Sequence, residues 1–275
     1  MTLTVTSVNL NGIRAAHKRG FLPWLHASDT DVLLVQEVRA PEEISREIMG
    51  EEWDSVWVPC RIKGRAGVGV AVRRGRARID GEPRLVLDGA ESDVDSGRWL
   101  EATVSREGGD TPVRVVSAYF HSGEKDTPKQ DAKMAHLPRI GNRMAELIAE
   151  EANGGVSSLV CGDFNVVRSR SDIKNWTPNH NKRAGVLDEE IAFLNRWVDE
   201  GWRDTVRDLA GDTQGPYSWW SWRGQAFVNN AGWRIDYQYA TPRLGALARS
   251  FDIGRAPEYD ARFSDHAPVS VTYDI

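Results

Sequence analysis

The side chains of this sequence best suited to chemistry stand just beyond short apolar runs. Leu3 to Val8 leads into Asn9 and Asn11, Val32 to Val35 into Gln36 and Glu37, Val113 to Ala118 into Tyr119, and Leu159 to Val160 into Asp163 and Asn165. Further on, Asp236 sits inside an apolar run, and Asp265 with His266 opens the last one. If these runs are strands of shared sheets, their ends bring carboxylates, amides, a phenol and an imidazole into one cleft. Such a set suits hydrolysis of a phosphodiester, which needs an aligned water, relief of charge on the non-bridging oxygens and help for a departing alkoxide. Scattered acids without a Cys/His cage suit Mg²⁺ better than zinc, and Glu37 is the first candidate ligand.

Each of these residues also has a plain structural explanation. Glu37 is a surface or helix-cap acid on that view, and Gly162-Asp163-Phe164-Asn165 is a turn, because Gly, Asp and Asn favour turns. Asp265-His266 closes the final strand, and Asp236 pairs with Arg234. An aspartate in an apolar strand is costly without a partner, however, and an imidazole N–H is a natural one. A hydrogen bond from His266 to Asp236 is therefore expected.

The elements that must position these groups follow from periodicity. Leu3 to Val8, Val32 to Val35, Val68 to Val72, Val113 to Ala118, Ser158 to Val160, Ile235 to Tyr239 and Val269 to Tyr273 read as buried strands. Helical spacing covers Pro128 to Ala152, through Met134, Leu137, Ile140, Met144, Leu147 and Ile148, and Leu187 to Val198, with Gly201 as its stop. Asp188 and Glu189 suit the positive end of the second helix. The class is α/β or α+β, and with no dividing linker or repeat residues 1–275 read as one domain.

Composition narrows the functional classes. Over 275 residues, 35 basic against 40 acidic side chains give a net charge of −5, which excludes nucleic-acid binding by bulk positive charge. Local basic stretches remain: Arg61 to Arg78 holds seven Lys or Arg and no acid, and Val166 to Arg183 holds five against Asp172. The two cysteines, Cys60 and Cys161, do not suggest a disulfide scaffold. No run is long enough to span a bilayer, and Met1 to Leu10 lacks a signal-peptide layout, so a cytoplasmic protein is expected. Eleven Trp are present, and Trp219, Trp220, Trp222 and Trp233 cluster in one segment.

Taken in order, six motifs resemble those of the exonuclease III family of abasic-site endonucleases. They are Asn9-Leu10-Asn11-Gly12-Ile13-Arg14, Leu34-Val35-Gln36-Glu37, Ala118-Tyr119, Gly162-Asp163-Phe164-Asn165, Gly232-Trp233-Arg234-Ile235-Asp236 and Ser264-Asp265-His266. The resemblance spans nearly the whole chain. It implies a four-layer sandwich of two packed, mainly antiparallel or mixed β-sheets flanked by helices. It implies a divalent metal, Mg²⁺ or alternatively Mn²⁺, on Glu37 with Asn9 and Asp265 near it. Asp163 would orient or deprotonate the attacking water with the help of Asn165. His266, held by Asp236, would contact the scissile phosphate, and Tyr119 would donate to the phosphate or the leaving oxygen. Asn11, Trp219, Trp233, Ile235 and Arg223 would meet the DNA, the apolar three enclosing a flipped abasic sugar. Arg61, Lys63, Arg65, Arg168, Arg170 and Lys174 are candidate contacts to the phosphate backbone.

The sequence departs from that family at three places. Phe120-His121-Ser122 follows Tyr119 where the family commonly has Pro and then Asn or Gln, Val38-Arg39 stands where Thr-Lys is frequent, and Asn11 replaces an Asp found in some members. The expectation is a monomeric repair nuclease that cuts 5′ to abasic sites in duplex DNA and leaves a 3′-hydroxyl, with 3′→5′ exonuclease and 3′-phosphatase activity at 3′ ends. Two alternatives are a sister hydrolase acting on a lipid or nucleotide phosphoester, and a non-catalytic module stacking ligands on its tryptophans.

Overall fold

Twelve strands and eight helices, one of them 25 residues long, make up the computed structural model, which describes residues 2–275; Met1, the first residue of the expected domain and of the N-terminal segment, lies outside them. The strands are β1 (Thr2–Asn9), β2 (Val32–Gln36), β3 (Trp53–Val58), β4 (Val68–Arg73), β5 (Ala77–Arg84), β6 (Trp99–Arg106), β7 (Val113–Tyr119), β8 (Ser157–Asp163), β9 (Arg203–Asp204), β10 (Asp236–Ala240), β11 (Ala248–Ile253) and β12 (Val269–Asp274). The helices are α1 (Ile13–Lys18), α2 (Phe21–Ala27), α3 (Glu42–Met49), α4 (Pro128–Ala152), α5 (Trp176–Asn179), α6 (Asp188–Asp199), α7 (Thr205–Ala210) and α8 (Pro242–Gly245).

Two six-stranded mixed sheets result, in the orders β11-β12-β1-β2-β4-β3 and β5-β6-β7-β8-β10-β9. Only β1 with β2 and β7 with β8 run parallel, and each of these pairs lies at the centre of its sheet. Of the central strands, β2 is apolar on both faces from Val32 to Val35, as a strand covered on both sides can be, whereas β1 and β7 also bury Thr6, Ser7 and Ser117. Val32 and Leu34 of β2 point into the core between the sheets with Val115, Leu159 and Cys161, whereas Leu33 and Val35 point outward against α1 and α2. On the other sheet Val116, Ala118, Val160, Tyr237 and Tyr239 meet Leu137, Ile140, Met144 and Leu147 of α4 and Leu194 and Trp197 of α6. Helix, sheet, sheet, helix is the layering that the sequence resemblance implies.

The long helix begins on sequence cues. The Thr127 hydroxyl caps it by accepting from the Lys129 N–H, Pro128 occupies its first turn, and its apolar stripe continues through Pro138. The second expected helix carries Asp188, Glu189 and Glu190 in its first turn and stops before Gly201, whose φ of 109° is open to glycine. All seven expected strands are present. The five others were not legible as apolar runs, and four of them, β3, β5, β9 and β11, are sheet edges, where one face and one rim are open and polar residues are tolerated. The fifth, β6, hides a buried Glu101 that is held by Arg143 through bonds of 2.8 and 2.7 Å. Among the described residues no helix is long and apolar enough to cross a membrane.

Candidate active site

The parallel central pairs send four strand ends to the same rim of the sandwich. Asn9 closes β1 beside Gln36 of β2, and Tyr119 closes β7 beside Asp163 of β8. Their antiparallel neighbours arrive at that rim from the opposite direction: Asp236 opens β10 directly opposite Asp163, and His266 lies just before β12. Positive φ angles turn the chain there, at Asn11 (47°), Glu37 (49°) and Asn165 (52°). Asn tolerates that region, but Glu does not favour it, and backbone strain of this kind collects where a side chain must be aimed. Gly162 is required by contact as well, because at its φ of 143° a Cβ would lie 1.8 Å from the Ala118 carbonyl oxygen.

A continuous set of hydrogen bonds joins these residues. The Tyr119 hydroxyl donates to Glu37 Oε1 at 2.6 Å, and Asn9 Nδ2 donates both to that oxygen at 3.1 Å and to Asp163 Oδ2 at 2.9 Å. Arg39 pairs with the other Glu37 oxygen. Asp163 Oδ1 accepts the Asn165 backbone N–H at 2.9 Å, and Asn165 Nδ2 reaches Asp163 Oδ2 at 3.1 Å. His266 Nδ1 lies 2.9 Å from Asp236 Oδ2, the bond expected from sequence, and its Nε2 lies 3.8 Å from Asp163. Ser218 donates to Asp236 at 2.6 Å and Ser264 to the Asn9 carbonyl at 2.7 Å, so neither strand end can swing freely. Asp265 accepts from Asn11 Nδ2 at 2.9 Å and from Trp219 Nε1 at 3.1 Å.

These groups line a cavity of about 280 Å³ whose walls include Asn11, Glu37, Arg39, Asp163, Asn165, Trp219, Trp233, Ile235, Asp265 and His266. Burial and neighbouring charges shift three of these groups. Burial by itself lowers the His266 pKa, but Asp236 and Asp163 outweigh it and hold the imidazole in its charged form well above the ordinary value. Asp163 is pushed upward, first by burial and then by Asp236 and Glu37, while His266 and Asn9 oppose the shift. The Tyr119 phenol is raised by burial and by the negative charges of Glu37 and Asp163, so it keeps its proton and acts as a donor.

Glu37, Asp163, Asp236 and Asp265 thus crowd four carboxylates against two cations, His266 and Arg39. A divalent ion fits that imbalance, and the donors facing the cavity are carboxylate and amide oxygens, the set that Mg²⁺ takes. Glu37 and Asp265, which both line the cavity, could hold such an ion. Asn9, expected beside the metal, turns its nitrogen to both Glu37 and Asp163 and its Oδ1 to the Asn11 N–H at 2.9 Å, an orientation that positions the carboxylates.

The tryptophans divide between wall and core. Trp219 and Trp233 meet edge to face, with centroids 5.6 Å apart, on the cavity wall beside Ile235. Trp220 is buried against Phe227, and Trp222 packs on Tyr259 and Arg262. Arg223 lies on an exposed loop and does not line the cavity. Among the basic candidates Arg65 lines an adjoining depression beside Tyr119, whereas Arg61 pairs with Glu91 and Asp93 and Arg168 with Asp204.

Two buried ionic supports were not apparent from sequence. Arg234 pairs with Asp172 at 2.7 Å and with both oxygens of Asp204 at 2.8 Å, not with Asp236, and thereby fixes the segment that carries Trp233 and Asp236. Lys133 of α4 pairs with Glu190 of α6 at 2.7 Å and donates to the Asn165 carbonyl at 2.9 Å. Glu190 in turn accepts from Gln130 and from the Gly185 and Leu187 N–H groups.

Comparison with known proteins adds to this geometry. Residues 6–266 match the model of the endonuclease/exonuclease/phosphatase family. The chain is similar to an exodeoxyribonuclease of Bacillus subtilis, 29% identical over 276 residues that cover 99% of this chain and 100% of that protein. It is similar to a DNA-(apurinic or apyrimidinic site) endonuclease of Dictyostelium discoideum, 25% identical over 99% of this chain and 71% of that protein. An AP endonuclease from Archaeoglobus fulgidus has a similar fold, with a TM-score of 0.81 at 22% identity over 99% of this chain and 100% of that one.

Proposed function

Because the chain belongs to the endonuclease/exonuclease/phosphatase family, we propose that its cavity hydrolyses the phosphodiester bond on the 5′ side of abasic sites in duplex DNA, leaving a 3′-hydroxyl. The same chemistry at DNA 3′ ends gives 3′→5′ exonuclease and 3′-phosphatase activity. The observation that carries this reading is the convergence of His266 bonded to Asp236 and of Asp163 bonded through Asn9 to Glu37 and Tyr119, with His266 Nε2 standing 3.8 Å from Asp163, beside a wall of Trp219, Trp233 and Ile235.

Asp163 is assigned as the group that orients the attacking water and takes its proton, and Asn165 holds that carboxylate in place. His266, charged and fixed by Asp236, donates from Nε2 to a non-bridging phosphoryl oxygen, where negative charge grows. The bond between phosphorus and the upstream 3′ oxygen breaks, and Tyr119 donates toward the phosphate or that leaving oxygen. Mg²⁺ on Glu37 and Asp265 would polarise the phosphoryl group and offset its charge. Trp219, Trp233 and Ile235 enclose a sugar that carries no base, and a normal nucleotide would have to fit its base against those rings. The enzyme is proposed to work as a cytoplasmic monomer.

The test is a duplex carrying one tetrahydrofuran abasic analogue, incubated with Mg²⁺ or with EDTA. Incision that leaves a 3′-hydroxyl, needs the metal and is lost in Glu37→Gln is expected. Tight binding without a nick, or turnover only of lipid or free-nucleotide phosphoesters, would overturn the reading.

A further inference from the structure

A second cluster of metal-ligating side chains lies outside the nuclease cavity. Asp95 comes from the loop between β5 and β6, His121 from the segment just after β7, and His136 from α4. All three are buried, and each offers a ligand atom within 4.8 Å of the others. His121 occupies one of the positions at which the sequence departs from the family it resembles.

The two oxygens of Asp95 are used differently. Oδ2 is saturated by Ser92 at 2.7 Å and by Arg139 at 3.0 Å, whereas Oδ1 faces His121 Nε2 at 2.8 Å. Hydrogen bonds of this kind to the far oxygen of a carboxylate hold it in place as a metal ligand. The His121 and His136 rings meet edge to face at 5.1 Å. His136 is only 3% exposed, yet its Nδ1 has no hydrogen-bond partner, a costly state for a buried polar atom that a bound ion would relieve.

We propose that Asp95, His121 and His136 form a transition-metal site, for Zn²⁺ in the first instance, that is separate from the Mg²⁺ chemistry of the nuclease cavity. Two imidazoles and one carboxylate match zinc and not magnesium, and three protein ligands leave a fourth position for water. A depression of about 430 Å³ lined by Arg39, Arg65, Arg98, Tyr119 and His121 gives solvent a route to the cluster. Closing a tetrahedron of bonds of about 2.0 Å would part Asp95 Oδ1 and His121 Nε2 to roughly 3.3 Å, a shift of about half an ångström.

Two neighbouring cations are engaged by other groups. Arg139 is engaged by both oxygens of Asp88, at 2.6 and 2.8 Å, and Arg98 stacks over the Tyr119 ring. Glu91 and Asp93 of the same loop face Arg61. Binding of zinc would displace to solvent the proton that His121 Nε2 shares with Asp95 Oδ1. The site would tie the segment after Tyr119 to α4. That segment carries Ser122 and Gly123 into the nuclease cavity, so the ion would brace one of its walls.

The experiment is zinc retention by the full-length enzyme, stripped with chelator, reloaded with Zn²⁺ in excess Mg²⁺ and passed over a desalting column. We expect the unaltered enzyme and Glu37→Gln to keep an equivalent of zinc that His136→Phe and Asp95→Asn both lose, and Zn²⁺ to raise the unfolding temperature of the first two by several degrees. No retained zinc in the unaltered enzyme, retention in both cluster variants, or loss in Glu37→Gln would overturn the proposal. Should the cluster variants not fold, Co²⁺ loading of the unaltered enzyme decides: a strong four-coordinate visible band supports the site, and a pale six-coordinate spectrum refutes it. Because none of these readouts measures DNA cleavage, they stand whether or not the nuclease reading holds.

Discussion

The buried pair of Lys133 and Glu190 makes the sharpest demand on the physical reading, because its two halves are not equivalent. Both side chains are essentially inaccessible, at 1% and 0% exposure. Breaking a buried ion pair costs about 3–5 kcal/mol when the remaining charge is left without a partner. In Lys133→Met, Glu190 still accepts from Gln130 Nε2 at 2.8 Å, Gly185 N at 2.6 Å and Leu187 N at 3.2 Å. That loss is then nearer the value of a charged hydrogen bond, about 2–3 kcal/mol. In Glu190→Gln the ammonium loses the one carboxylate it pairs with among the described residues and those three donors lose an anion, which points to the full ~3–5 kcal/mol. At about 2–4 °C per kcal/mol for a chain of this size, Glu190→Gln should lower Tm by roughly 6–20 °C and Lys133→Met by roughly 4–12 °C. Urea titrations of both single variants and the double variant would measure this, with a coupling of about 1–3 kcal/mol expected. Because Lys133 Nζ also holds the Asn165 carbonyl, Lys133→Met should lower kcat on the abasic duplex about 10–100-fold while KM changes little. Additive losses, or a Lys133→Met that is the more damaging substitution, would refute the account.

Other consequences are more direct. Asp163→Asn should reduce incision at least about 10³-fold with DNA binding retained, measured by single-turnover cleavage and by filter binding of the same duplex. Trp233→Leu should cost about tenfold in the ratio of abasic to undamaged duplex cleavage and much less in removal of a 3′-phosphate, which needs no enclosed sugar. Gly162→Ala should fail to accumulate as folded protein, because its Cβ meets the Ala118 carbonyl oxygen at 1.8 Å between two central strands. Burial alone would raise the Asp172 carboxyl, but Arg234 and Arg207 together hold it below its ordinary value of 3.8. Its contribution to stability is therefore complete above about pH 4 and lost as pH falls through the lower folded value. The stability gap between the unaltered protein and Asp172→Asn, read from urea midpoints, should narrow steadily below pH 4.

What could be read from sequence follows from how each feature is encoded. A central strand covered on both faces is mostly apolar, so Val32 to Val35, apolar throughout, and Val113 to Ala118, apolar except at Arg114 and Ser117, announce themselves, as does the change to polar residues at their ends. The cavity was legible because Asn9, Glu37 and Tyr119 sit one or two residues beyond an apolar run, and Asp163 and His266 three residues from one. Edge strands lack that signature: Ala77–Arg84 and Ala248–Ile253 are half exposed and mix charges with apolar residues, so pattern alone leaves them as loops.

Buried charges are hidden for a different reason. Glu101, Lys133 and Arg234 look like surface residues in sequence, because a charged side chain is seldom fully buried without a partner. The partners that make burial tolerable lie 42, 57 and 62 residues away for Glu101 with Arg143, Lys133 with Glu190, and Arg234 with Asp172. No local pattern carries that pairing. The same limit explains Arg234 in particular. Its neighbour Asp236 is two positions along, and alternation along an extended chain sends both to one face, which made their pairing a reasonable alternative. The strand instead begins at Asp236, and the bridge residues before it turn Arg234 toward Asp172 and Asp204. Among the described residues Asp236 then bonds His266 and Ser218, so the charged state of the His266 imidazole depends partly on Arg234 being held elsewhere.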